Sequence, residues 1–225
     1  MLHSCIDHLV ITAPSLAEGT AYVQQVLGVA LQAGGEHPRM GTHNALLRLG
    51  EGLFLEVIAV NPEAPPPARP RWFQLDRITP DTRPRLATWV ARTSDIAAAS
   101  AASAASAVAL GPIVPMTRGQ LHWLITIPDD GSLPMQGIAP TLIEWQAQPH
   151  PASRLPDLGC SLLGLEADLA PADAEQLSNM LALNAFHGVF SVNLIGPGIA
   201  PSLTAYIQTP AGVRRLGSPA SVIPV

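Results

Sequence analysis

The chain has 225 residues, a formal net charge of −5, and 48% hydrophobic against 13% charged residues, so one or two domains with an amply supplied core are expected. The acidic balance argues against a nucleic-acid partner. All 12 Lys+Arg positions are arginine, which excludes mechanisms built on a Schiff-base or phosphate-loop lysine.

No apolar run reaches the roughly 18 residues of a membrane span, so no membrane partner is expected. The first residues, Met1-Leu2-His3-Ser4-Cys5, lack the basic-then-apolar layout of a secretion signal. Cys5 and Cys160 are far apart and show no Cys-x-x-Cys spacing, which reads as buried free thiols in a cytoplasmic protein.

The first element is an apolar strand at residues 6–11 with His8 at its centre. Ser15 and Glu18 then form a capping box, Leu16, Val23, Val26 and Leu27 recur at helical spacing, and Gly28 is the stop. Residues 33–39 carry Gly and Pro and read as a loop. Strands follow at 42–49 and 53–60, joined by Gly50-Glu51-Gly52 as a hairpin. The segment 61–85, with Pro65-Pro66-Pro67 and a central Trp72-Phe73, reads as a stiff connector ill suited to regular structure.

The pattern then restarts. A strand at 85–93 leads through Ser94-Asp95 into an Ala/Ser tract at 96–110, read as a small-residue helix because alanine is the best helix former. Strands follow at 121–127 and 141–146. After Pro149-His150-Pro151 a third, shortened round begins, with a strand at 162–167, a helix at 173–183 and strands at 189–195 and 203–208. Aligning Pro14-Ser15-Leu16, Ser94-Asp95-Ile96 and Ala167-Asp168-Leu169 gives offsets of 80 and 73 residues. The expected fold class is therefore α+β: repeated βαβββ units forming curved half-barrel sheets, two full units over residues 1–153 and a shortened third over 154–225. That third unit is read as a lid or as the contact of a homodimer, since an incomplete unit leaves sheet edges to cover.

Three strands carry a titratable group inside an apolar run: His8, Glu56 and Glu144. Burying such a group costs about 2 kcal/mol or more unless it is paired or ligating. If the two units pack side by side, all three side chains can face one cleft. One imidazole and two carboxylates form a mixed N/O site for a divalent ion such as Zn, Mn, Fe or Ni, with Glu56 and Glu144 also able to move a proton. The alternative is that the carboxylates pair with arginine, Arg118 being the candidate. His43 and Asn44 either support the loop after Gly41 or touch substrate, and His150 either holds a turn or closes the pocket.

Ile6-Asp7-His8-Leu9-Val10, Gly41-Thr42-His43-Asn44-Ala45-Leu46, Leu55-Glu56-Val57-Ile58-Ala59, and Ile143-Glu144-Trp145 with Pro149-His150-Pro151 together resemble the vicinal-oxygen-chelate superfamily, and within it the glyoxalase-like domain subgroup. The resemblance implies a metal-and-substrate pocket enclosed by the paired units. It also implies metal ligands from first and last strands, which fall on His8, Glu56 and Glu144. The fourth ligand position falls on Thr88, a poor ligand; His122 or His43 could substitute, water could fill the place, or the site holds no metal. Arg118, His122, Trp145 and His150 are the remaining candidate contacts for a small-molecule substrate, beside His43 and Asn44. Two functions follow: a metal-dependent isomerase, lyase or dioxygenase on a small oxygenated substrate, or a non-catalytic pocket that sequesters a small molecule, in the manner of bleomycin-resistance proteins.

Overall fold

The structure, a computed structural model, describes residues 1–146 and 148–217. The first unit comprises β1 (Ser4–Thr12), α1 (Leu16–Leu27), β2 (Gln32–His37), β3 (Thr42–Gly50) and β4 (Leu53–Val60). The second comprises β5 (Arg85–Thr93), α2 (Ile96–Ala105), β6 (Ile113–Arg118), β7 (Leu121–Thr126) and β8 (Thr141–Trp145). Their strands form one sheet in the order β2-β3-β4-β1-β5-β8-β7-β6. The two first strands, β1 and β5, run antiparallel at its centre, and each lies parallel to the last strand of its own unit. His8 pairs with Val90 and Val10 with Thr88, so Thr88 is the two-fold counterpart of His8, as the repeat predicts.

The sheet curls into a half-barrel with two differently populated faces. Successive strand residues point to opposite faces, and here they enter separate cores. Leu9, Ile11, Val57, Trp89 and Leu142 join the core shared with the helices, while Val10, Ile58, Val90 and Ile143 join a second core inside the trough. Helix ends are closed locally. Ser15 Oγ accepts from Glu18 N at 3.2 Å, Asp95 accepts from Ala98 N at 2.9 Å, and Gly28 takes the left-handed conformation (φ 75°) that ends α1.

The third segment contains β9 (Ser161–Leu169), α3 (Pro171–Leu183), β10 (Phe186–His187), β11 (Phe190–Leu194), β12 (Ser202–Thr209) and β13 (Gly212–Gly217). Its four long strands form a separate sheet, β11-β9-β12-β13, while β10 pairs with β1. Here β9 is parallel to β11, the second strand after the helix, and antiparallel to β12, so its wiring differs from that of the first two units. The helix starts at Ala170-Pro171 rather than beside Asp168, which is the eighth residue of β9. Leu165, Ala167, Leu177, Ile207 and Leu216 bury this sheet and helix in the same core as Leu9 and Trp89.

Three local readings are corrected. The Gly-bearing segment taken as a loop is strand β2, whose irregularity between Ala33 and Glu36 accommodates Gly34 and Gly35. The Ala/Ser helix stops at Ala105, because Ala107 turns to φ 59° and sends Val108 and Leu110 into the core. The residues beyond it form the edge strand β6, which tolerates Pro115 because one of its sides is unpaired. The connector is not empty of structure either. Residues Trp72–Arg77 make a tight turn with Phe73 and Gln74 both at φ 56°, and Trp72, Phe73 and Leu75 plug one end of the trough.

Candidate active site

What remains of the trough is a cavity with an empty volume of about 450 Å³ including its mouth, walled by strands of both units and by the connector. Its chemistry starts at β1. The pairing of β1 with β5 is irregular between Ile6 and His8, so Asp7 is an extra residue in a bulge. Strict alternation would send neighbours Asp7 and His8 to opposite faces; a bulge re-aims one of them. Asp7 Oδ1 consequently lies 2.6 Å from His8 Nδ1. Asp7 is fully buried, and its Oδ2 accepts from Trp145 Nε1 at 3.0 Å and His150 Nε2 at 2.9 Å, with Arg92 Nη1 at 3.6 Å. Burial pushes the Asp7 carboxyl up, but hydrogen bonds from His150 and His8, together with their charge, hold it well below the usual carboxylate range.

With Nδ1 turned to Asp7, His8 presents Nε2 to the cavity, 3.7 Å from Glu56 Oε2. The ring stacks on Phe54 with centroids 4.5 Å apart, which fixes its plane. Glu56 is oriented in turn by Asn44, whose Nδ2 donates to Glu56 Oε1 at 2.5 Å. Asn44 Oδ1 accepts from Gly35 N at 2.8 Å and Arg118 Nη1 at 3.3 Å, so both ends of the amide are committed. Gly34 is required here, since a Cβ on it would fall 2.0 Å from Asn44 Oδ1. Arg118 Nη1 also donates to His37 Nε2 at 3.2 Å, and His37 Nδ1 meets Thr42 Oγ1 at 3.1 Å. Burial, with Arg118 beside it, lowers the His37 pKa to about 3, so this ring is a neutral acceptor at ordinary pH.

The expected residues divide accordingly. His8, Glu56, Asn44, Arg118 and Trp145 line the cavity. His150 stands behind it as a partner of Asp7. His43 falls on the other face of β3 from Asn44, with Nε2 buried and unpartnered among the described residues. His122 is exposed on β7. Glu144 is the main correction. It lies on the helix side of β8 with Leu142, and its Oε2 accepts from Ile96 N at 2.8 Å, closing the N-terminus of α2. The register explains the error: Glu56 pairs with Val10, the counterpart Val90 pairs with Thr141, and so Thr141, not Glu144, is the equivalent of Glu56. An odd-residue slip along a strand moves a side chain to the opposite face. Asp7 and His37 went unassigned. The signal for Asp7 was the same one that marked His8, a charge inside an apolar strand.

The sequence comparisons decide the family. The profile of the glyoxalase-like domain matches residues 6–182. The chain belongs to the glyoxalase-like domain family. No curated protein matches the sequence. Among solved structures, this glyoxalase-like chain is similar to a hypothetical protein from Staphylococcus aureus, with TM-score 0.57 and 15% identity over 85% of this chain and 86% of that one. It is also similar to methylmalonyl-CoA epimerase from Mycobacterium tuberculosis, with TM-score 0.43 and 17% identity over 66% of this chain and 91% of that one. The first of these likenesses concerns the fold alone.

The superfamily's divalent metal does not fit the residues present. Among the described residues only His8 Nε2 and Glu56 Oε2 offer donors side by side in the cavity, Glu144 faces away, and the two-fold counterparts of His8 and Glu56 are Thr88 and Thr141. A zinc ion takes three or four protein ligands, and among the described residues no group of three His, Cys, Asp or Glu is so placed.

Proposed function

We propose that this glyoxalase-like protein is an enzyme that moves a proton on a small oxygenated substrate held in the trough, with His8 as the base. The observation that carries this reading is the Asp7–His8 pair at 2.6 Å with the second ring nitrogen facing Glu56 at 3.7 Å inside the cavity. A buried carboxylate on Nδ1 fixes the tautomer, stabilises the imidazolium and leaves Nε2 to take a proton, here from a carbon next to a carbonyl. The electron pair of that C–H bond becomes the enolate. The proton returns to carbon or to oxygen from His8, or from Glu56 if Glu56 has accepted it. Isomerase chemistry fits this sequence of steps; lyase chemistry fits if the enolate's electron pair instead expels a substituent on the next carbon, which leaves with the proton from His8, and no step requires a metal. Cys5 and Cys160 as free thiols support placing the protein in the reducing cytoplasm.

The test is deuterium uptake at the α-carbon of a panel of small carbonyl compounds in D₂O, followed by proton NMR. Wild-type protein is expected to catalyse the exchange for at least one compound. His8→Gln and Asp7→Asn should lower the rate by about 10²-fold or more. Equal exchange by His8→Gln would remove His8 from the mechanism. Tight binding without any exchange would leave the second reading, a sequestering pocket, which the Trp72, Trp123 and Trp145 walls also favour.

A further inference from the structure

Arg118 ends β6 in the second unit and reaches the first, where a Cβ on Gly35 would fall 3.3 Å from its Cδ. Its Nη1 is used by His37 Nε2 and Asn44 Oδ1, both neutral acceptors. No carboxylate forms an ion pair with Arg118 among the described residues, and Nε and Nη2 have no partner among them. Glu56 acts on it only across Asn44. A partly desolvated guanidinium with one edge free is poorly compensated, and the ligand that compensates it best is planar and anionic.

Trp72, which also walls the cavity, carries a second unpartnered donor. Trp72 is 4% exposed, and its buried Nε1–H has no hydrogen-bond acceptor among the described residues. Buried indole N–H groups normally have one. His37 connects the two donors, touching Trp72 edge-on with centroids 5.1 Å apart while accepting from Arg118. The cavity therefore has donors around His37 and a base, His8, with Glu56 on the first unit's central strands.

We propose that the substrate is a small carboxylic acid with an apolar body, its carboxylate seated on the free edge of Arg118 and on Trp72 Nε1–H. The guanidinium and indole then hold in place an anion that a metal would otherwise chelate, and they set the C–H beside the substrate's carbonyl toward His8. The proposal rests on the trough being the substrate site of the proton-transfer reading, and it deepens that reading by naming the substrate class.

The test uses the full chain in EDTA and titrates benzoate, phenylacetate and phenylpyruvate, each beside its primary amide, by calorimetry and ligand-observed NMR. At least one acid is expected to bind, with its amide about tenfold weaker or more. Arg118→Met should abolish that preference, Arg118→Lys should retain part of it, and Trp72→Phe should weaken the acid severalfold, with circular dichroism reporting on folding. If Arg118→Met does not fold, the Arg118→Lys and Trp72→Phe variants carry the comparison, and full acid preference in both would overturn the proposal. So would failure of all three acids to bind, equal affinity for acid and amide, or binding that appears only with added metal. His8→Gln separates the two readings: it should keep acid binding while losing exchange. Exchange on neutral carbonyls with no acid preference would overturn this proposal and leave the proton-transfer reading standing.

Discussion

Asp7 gathers more polar contacts than any other side chain around the trough, because both of its oxygens are withdrawn from water and each must be matched. His8 occupies one, while Trp145 and His150 share the other, with Arg92 nearby. Truncating a buried charge leaves its partners unsatisfied, so Asp7→Ala should destabilise the protein by about 3 kcal/mol, read from urea denaturation. His37 gives a pH dependence whose sign follows from its environment. Its pKa is about 3 in the folded protein and about 6.5 when unfolded. Below pH 6.5 the unfolded chain binds a proton that the native state refuses. Its contribution is therefore fully present above about pH 6.5 and is lost as the pH falls toward 3. The depressed Asp7 carboxyl adds a loss of the same sign only below about pH 4. Denaturation midpoints measured from pH 7 to pH 4 should fall, and His37→Gln should flatten that slope.

Two elements show how local backbone needs decide what a side chain can do. Strand β2 passes so close to Asn44 that only glycine fits at position 34. Gly34→Ala should cost about 1–3 kcal/mol in stability and should release Asn44 from Glu56, reducing α-proton exchange more than Glu144 substitutions do. Strand β8 places Glu144 under the first turn of α2, where a carboxylate meets a free amide and the positive end of the helix. Glu144→Ala is accordingly expected to lower stability by about 1 kcal/mol and to leave exchange rates unchanged. A loss of activity comparable to that of His8→Gln would overturn this placement.

Across the whole molecule, the central sheet and the third segment share one apolar core, from Leu9 and Trp89 to Leu165, Leu177 and Ile207. The division at residue 153 proposed from the repeat therefore has a direct test. A chain ending at Ser153 uncovers the outer face of β1 and β5, and it is expected to lose near-UV circular dichroism or to aggregate. A cooperative unfolding transition from that truncated chain would instead make residues 1–153 a domain in its own right. Leu163, Leu183, Val189, Leu194, Ile199 and Val213, all in the third segment, are exposed, and no helix among the described residues is long and apolar enough to cross a membrane.

Apolar alternation, the Ser15–Glu18 capping box and the recurrence of helix starts were enough to establish paired βαβββ units. They also marked His8 and Glu56 as polar side chains inside the sheet. Those features are local or periodic, and period-two alternation states which residues of one strand share a face. It does not state which face that is, or where a bulge interrupts it. Both facts depend on partners distant in sequence. The pairing of β8 with β5 turned Glu144 outward, the bulge against β5 turned Asp7 inward, and the closure of the trough brought Arg118 to Asn44 and His37. The chain thus specified its fold and two of the polar side chains that line the cavity by itself. The buried carboxylate beside His8, and an Arg118 guanidinium with no carboxylate partner among the described residues, came from tertiary pairing, because strand register is set across the sheet.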